Sequence, residues 1–301
     1  MHAAINYFDL GASLYTPATH PRLGDLLRGG GCAPRSCIAC LEDSIHDAQI
    51  PAALDNLRQA LGALPPSTRL TPKRFIRPRD PQLLEVLLRL EHIDKIDGFV
   101  LPKLDLDSLD AYQRVIAHAP TRRPFAYMPT LETVQTFDPE AMRCLRRRLE
   151  KWEVPVICLR IGGNDLMKLL GLKRMRGMTL YDTPLRILID QLIITFRPYG
   201  FELSAPVFDL LDDTETLQRE IAMDLNYGLY AKTAIHPTQI SVIEAGFADF
   251  IARHHEQAQS LLQEQCEAVF KLDGQMLESR CHTAWAQRVA HLAERRKLWG
   301  R

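Results

Sequence analysis

The chain has 301 residues, 46% hydrophobic and 25% charged, the balance of an ordinary globular protein. Lysine plus arginine and aspartate plus glutamate are equal at 37 each, so no overall field draws the chain to nucleic acid or an anionic membrane surface. The N-terminal MHAAINYFDLGASLYTP has neither a basic n-region nor an apolar h-region. The most apolar helical stretch, residues 185–196, carries Arg186 and Asp190 and is too short to span a bilayer, so a cytoplasmic protein is expected.

Short apolar runs recur along the chain, each followed by a longer helical pattern. Residues 11–16 lead to a helix near 21–29, and residues 37–41 lead to one over 49–61. The runs 74–76, 98–101 and 125–128 precede helical patterns at 81–92, 106–117 and 139–151. Residues 156–159 lead into 165–170 and, after a loop, 184–199. Residues 201–204 precede 213–225, and 231–235 precede 237–255.

Eight strands alternating with helical segments predict an α/β protein whose parallel sheet closes into a (β/α)8 TIM barrel over residues 1–255. An open doubly wound sheet is the alternative, but neither G-x-G-x-x-G nor G-x-x-x-x-G-K-[ST] follows any strand. Residues 256–301, with Trp285 and Trp299, are charged and helical, and are expected to form an arm packed on the barrel or on a neighbouring subunit.

Seven cysteines, an odd number spread along the chain, suit reduced thiols. Cys32, Cys37 and Cys40 have the C-x4-C-x2-C spacing of plant-type iron–sulfur ligands. Strand alternation, however, puts Cys37 and Cys40 on opposite faces, and no fourth cysteine joins them, so they are read as packing residues.

In a barrel, chemistry belongs at the carboxyl ends of the strands. Those positions hold Glu42 and Asp43, Arg77, Lys103, Glu132, Asp165 and His236. Gly162-Gly163 breaks the sixth run, and Asn164-Asp165 stands where a helix begins, so Asp165 is either a helix cap or a site residue. Taken together, these residues describe a polar pocket in which two carboxylates hold a cation. Magnesium fits, because it takes one or two protein carboxylates and leaves its other positions to water or substrate oxygens. Zinc would need clustered His and Cys, and His254-His255 on a surface-like helix reads as solvated.

The chain resembles the citrate lyase β-subunit and malyl-CoA lyase family, magnesium-dependent aldolases of the pyruvate/phosphoenolpyruvate barrel superfamily. The matching pieces, in order, are residues 13–17 (SLYTP), 41–44 (LEDS), 98–103 (GFVLPK), Glu132-Thr133, 162–166 (GGNDL) and 234–240 (AIHPTQI), with 273–277 (DGQML) in the tail. The resemblance implies a carbon–carbon lyase acting on a small 2-oxo or hydroxy acid through a metal-stabilised enolate. It implies Mg2+ on Glu132 and Asp165, and Arg77 on a substrate carboxylate or enolate oxygen. Glu42 and Asp43 would form the polar floor, Lys103 would join their charge network, and His236 would be structural. Gly162, Gly163 and Asn164 would lie against the small acid, glycine allowing close backbone approach. A homo-oligomer, trimer or hexamer, is implied as well. The general base is left between Glu42, Asp43 and a tail carboxylate from another subunit, for which Asp273 is the candidate.

Three departures from the family pattern stand out: residues 44–51 (SIHDAQIP), the first-strand loop 18–22, and Arg160 before the glycine pair. The loop leaves only Arg22 and Arg28 as phosphate candidates, so a CoA or carrier thioester is not the expected substrate. The alternatives are a thioesterase or phosphoenolpyruvate-type enzyme on the same scaffold, or a non-catalytic, carrier-binding subunit.

Overall fold

The computed structural model describes residues 5–30, 34–68, 71–120, 124–264 and 266–297. Eight parallel strands form one sheet: β1 (Gly11–Pro17), β2 (Ser36–Cys40), β3 (Lys73–Arg77), β4 (Gly98–Leu101), β5 (Ala126–Leu131), β6 (Leu159–Ile161), β7 (Leu203–Ser204) and β8 (Ala231–Ala234). Their order is β7-β6-β5-β4-β3-β2-β1-β8. A bridge between Ala205 and Lys232 joins the two ends, so the sheet closes as the expected TIM barrel.

The helices between strands are α1 (Leu23–Leu27), α2 (Ile50–Ala63), α3 (Pro81–Leu88), α4 (Leu109–Ala117), α5 (Pro139–Leu149), α6 (Gly163–Leu169), α7 (Leu185–Phe196) and α8 (Thr214–Asn226), with α9 (Pro237–Leu261) after β8. Several start alike. Asp80, Asp138 and His236 each accept a hydrogen bond from a first-turn backbone N–H, and proline follows each of them, where its missing N–H costs nothing.

The register decides what faces inward. Ser13 pairs with Ser36 and Thr233, Tyr15 with Ile38, Cys40 with Arg77, and Thr130 with Arg160. Paired residues share a face, so these side chains line the barrel together with Phe75, Val100, Met128 and Cys158. The alternate residues Ile76, Phe99, Leu101, Leu131, Leu159 and Ile161 pack against the helices. Cys37 belongs to that outer layer and Cys40 to the inner one, the opposed faces expected from alternation. Cys32 lies outside the described residues. No group of three or more metal-ligating side chains gathers among the described residues.

Two expectations are corrected. The sixth strand is Leu159–Ile161, not 156–159; Val156 makes only an isolated bridge to Tyr127. Counting apolar residues places the strand too early because the true strand carries an inward arginine. The tail is not wholly helical: α9 runs through position 255 to Leu261, and β9 (Val269–Leu272) pairs with β10 (Gln275–Glu278) before α10 (Ser279–Lys297). The DGQ turn of the DGQML stretch drives the chain back on itself, with Asp273 and Gly274 both at positive φ. Trp299 lies outside the described residues.

The arm packs on its own barrel. Arg288 pairs with Glu202 and donates to the Gly228 carbonyl at 2.7 Å, Arg295 pairs with Asp9 at 3.5 Å, and Arg296 pairs with Glu244 at 2.7 Å. These contacts sit around the amino ends of β1, β7 and β8, leaving the carboxyl ends clear. Among the described residues no helix is long and apolar enough to cross a membrane.

Candidate active site

At the carboxyl ends of the strands lies a cavity of about 340 Å3, lined by Tyr15, Cys40, Asp43, Arg77, Thr130, Glu132, Arg160, Gly162, Gly163, Asn164, Asp165 and Thr233, among others. Arg77, the last residue of β3, is its organising cation. Its Nη1 reaches Glu42 Oε2 at 2.8 Å and Asp43 Oδ2 at 3.2 Å, and its Nη2 reaches Glu132 Oε1 at 2.9 Å. Lys103 joins from the loop after β4, its Nζ paired with Glu42 and lying 3.4 Å from Asp43 Oδ1. Five charged residues expected at four strand ends thus form one network.

The loops that present these groups are held by main-chain contacts. Lys103 adopts a positive φ of 49°, a conformation non-glycine residues avoid, and so turns its backbone N–H onto Glu132 Oε1 at 2.9 Å. Thr130 Oγ1 donates to the same oxygen at 2.5 Å. Arg79 ties down the segment carrying Glu42 and Asp43 through the carbonyls of Leu41, Glu42 and Ile45. Sequence reasoning missed Thr130 and Arg79. The i, i+2 spacing of Thr130 and Glu132 on one strand face was the available signal for the first; nothing local marked the second.

The titration of the acids follows from these contacts. Burial, reinforced by a hydrogen bond with Asp43, pushes Glu42 up to about 7 even though Arg77 and Lys103 oppose the shift. Burial would raise Asp43 too, but the Glu42 hydrogen bond and the two cations hold it down to about 2. One proton is therefore shared unequally by adjacent carboxyls. Lys103 is moved the other way: burial would lower it, but Glu42 raises it to about 12. Asp165 is pushed upward by burial and by the negative charges of Glu132 and Asp43.

Asp165 is not a helix cap. Gly162 occupies the cap position of α6, with no side-chain capping bond, and the Asp165 carboxylate faces the cavity without a hydrogen-bond partner among the described residues. Glu132 spends Oε1 on Arg77, Thr130 and Lys103, leaving Oε2 without a partner there. A Cβ at Gly162 would sit 2.4 Å from that Oε2, so only glycine leaves its approach open. The free Oε2 of Glu132 and the Asp165 carboxylate, on one wall, are a donor set suited to a hard divalent cation that takes its remaining ligands from water and substrate.

His236 stays outside the cluster, exposed, its Nδ1 2.8 Å from Thr238 Oγ1 at the start of α9, in the structural role expected. Arg22 and Arg28 are both engaged with Asp25. Asp273 accepts from Gln257 Nε2 at 3.3 Å in the β9–β10 turn, about 30 Å along α9 from its start at the helical rise, and so lies far from this chain's own cavity. His254 and His255 are partly buried, His254 packed against Phe250 and Trp285, rather than fully solvated.

Comparison with known proteins agrees with the geometry. A family model described as a C–C bond lyase of the TIM-barrel fold matches residues 4–297. No curated protein matches the chain. Among solved structures, CitE from Mycobacterium tuberculosis in complex with magnesium, acetoacetate and coenzyme A superposes with a TM-score of 0.66 at 20% identity, covering 94% of this chain and 98% of that one. A citrate lyase from Burkholderia xenovorans LB400 reaches 0.70 at 17% identity, covering 97% and 95%. The citrate lyase β subunit from M. tuberculosis complexed with oxaloacetate and magnesium reaches 0.59 at 20% identity, covering 80% and 99%.

Proposed function

The chain belongs to the C–C bond lyase family of the TIM-barrel fold, and from that premise we propose that it makes or breaks a carbon–carbon bond in a small 2-oxo or hydroxy acid, with Mg2+ as cofactor. The observation that carries this reading is the free Oε2 of Glu132 together with the Asp165 carboxylate, beside Arg77 on the glycine wall of the cavity. That structures of similar fold were obtained with magnesium and small acids supports it.

Glu132 and Asp165 would hold the ion. When bound, it supplies Lewis-acid stabilisation of the negative charge that develops as an enolate forms. Arg77 brings fixed positive charge to the same wall. Because Glu42, Asp43 and Glu132 lock its guanidinium in place, that charge is available without reorganisation, which is where enzymes gain most. Gly162 and Gly163 leave room for the acid, and the exposed Asn164 amide offers donors at the rim. Glu42, poised at about 7, is the group suited to accept or return a proton, with Lys103 beside it to balance the charge. The proposal includes a homo-oligomer, trimer or hexamer; any catalytic role for Asp273 then belongs to a neighbouring subunit's cavity.

The test is titration of Mg2+ by calorimetry, with pyruvate, oxaloacetate and glyoxylate added in turn, on the wild type, Asp165→Ala and Glu132→Ala. Both variants should keep the far-UV signature of the barrel and lose Mg2+ affinity and Mg2+-dependent binding of the acid. Near-normal Mg2+ affinity in either variant would overturn the assignment.

A further inference from the structure

A second cavity, of about 880 Å3, lies at the other end of the barrel, between the arm and the segments that lead into β7 and β8. Its size is that of a site for a small organic ligand. The barrel side is formed by the carboxyl ends of α7 and α8, and the other side by α9, β10 and α10. Features that stood out in the sequence, Trp285, His254 and the DGQML stretch, meet here with no part in the proposed chemistry.

The body of the cavity is aromatic. The His254 ring lies 4.6 Å from Phe250 and 5.8 Å from Trp285, the second contact edge to face, and Tyr227 and Tyr230 also line the wall. Its charge gathers around Gly228. A Cβ there would lie 2.7 Å from Arg197 Nη1 and 3.7 Å from Arg288 Nη2, so the two guanidiniums converge on one point. Arg197 Nη1 donates to the Tyr227 carbonyl at 2.6 Å, and Arg288 Nη2 to the Gly228 carbonyl at 2.7 Å. Glu202 is the one carboxylate among the described residues of the wall; its Oε1 pairs with Arg288 and its Oε2 is buried without a partner. Arg197 Nε and Nη2 are buried without partners as well, and burial and the Arg288 charge both push this guanidinium down from its ordinary value. Histidines aside, the wall carries two positive charges against one negative.

Like charges held this close away from bulk water repel strongly, and an anion brought from outside relieves the excess. One excess charge calls for a monoanion. A carboxylate matches that charge and the guanidinium fork, whereas a phosphate monoester brings about −1.5 to −2. Offset and edge-to-face contacts with the wall favour a flat ring as the body of the ligand. We propose that this cavity binds a small aromatic carboxylate, its carboxylate at Arg197 and Arg288 and its ring among Phe250, His254 and Trp285. Such a ligand bridges arm and barrel, and its site stands or falls separately from the lyase reading at the Arg77 end.

The probes are 2-naphthoate, 2-naphthylmethanol and 2-naphthyl phosphate, which share one ring system and differ in the charge of the head group. Their binding is measured by calorimetry on the full chain and on Arg197→Met, Arg197→Lys and Glu202→Gln, with melting curves to verify folding. The wild type should bind naphthoate about 10–100-fold more tightly than the neutral alcohol, the range of charge-assisted hydrogen bonds. Arg197→Met should lose that preference while binding the alcohol as before, and Arg197→Lys should keep part of it. Glu202→Gln raises the excess charge to two, so it should bind both anions more tightly and gain most for the phosphate. Equal affinity for naphthoate and the alcohol, a preference that survives in Arg197→Met, or weaker anion binding in Glu202→Gln overturns the site. A wild type that takes the phosphate over naphthoate overturns the carboxylate assignment. An oligomer that dissociates in Arg197→Met would give the cavity to a second copy of the chain, and so overturn the proposal too.

Discussion

Replacing Gly162 with alanine tests the site through one methyl group. The backbone there has φ −83°, open to alanine, so the effect is steric. The new Cβ would lie 2.3 Å from Glu132 Cβ and 2.4 Å from Oε2. Ordinary carbon contacts are about 3.5–4.0 Å, so the neighbours must part by more than 1 Å. Glu132 can move only by surrendering its bonds to Arg77 at 2.9 Å, the Lys103 N–H at 2.9 Å and Thr130 at 2.5 Å. Overpacking of this kind costs about 1–3 kcal/mol of stability. The loss of orientation should weaken Mg2+ by about 10–100-fold, the usual effect of disturbing the groups that aim a metal ligand. Gly163→Ala is the control: its Cβ would meet Pro206 at 2.9 Å and Leu180 at 3.1 Å, and Glu132 not at all. Thermal unfolding and Mg2+ calorimetry on both variants separate the effects. Both should melt earlier, and only Gly162→Ala should lose the ion. If Gly162→Ala binds Mg2+ as the wild type does, or if both variants lose it equally, the reasoning about the glycine wall is wrong.

Two further outcomes follow from the charge networks. For Glu42 to accept a proton it must be ionised, so Mg2+-dependent turnover should rise as pH increases through about 7. Glu42→Gln should abolish that limb, and an unchanged limb in the variant would remove Glu42 from the role. Lys232→Met leaves Glu220 and Asp224 buried without their shared cation, and breaking such a group costs about 3–5 kcal/mol. Asp224, already pushed up to about 6 by burial, can take up a proton in the variant. Chemical denaturation should therefore show a larger loss at pH 8 than at pH 5; a loss independent of pH would mean that the deficit is one of packing.

The barrel was legible because its outer layer obeys simple rules: apolar runs of strand length, helical patterns after each, and proline or a polar cap at several helix starts. The charged strand ends were legible for the complementary reason. Glu42, Asp43, Arg77, Lys103, Glu132 and Asp165 stand where apolar runs stop, and closure of the sheet brings them together. What escaped was the inner layer near the mouth of the barrel, where the packing rule and the site rule conflict. Thr130, Cys40 and Thr233 face the cavity but read as ordinary strand residues, and the contacts that define them come from other strands.

Strand β6 shows the conflict most sharply. Its apolar prelude, residues 156–159, fits a buried strand better by composition than Leu159–Ile161 does, yet the sheet pairs the latter because Thr130 aligns with Arg160 and Leu131 with Ile161. In that register Leu159 and Ile161 meet the helices, while Arg160 and Gly162 face inward. A slip of one residue would put two aliphatic side chains into the cavity and press the guanidinium into the apolar layer beneath α5 and α7, a cost that fixes the alignment. The register that buries Arg160 is thus the same one that opens the wall beside Glu132. The cation without a counter-charge and the carboxylate oxygen without a partner are two consequences of a single pairing of β5 with β6.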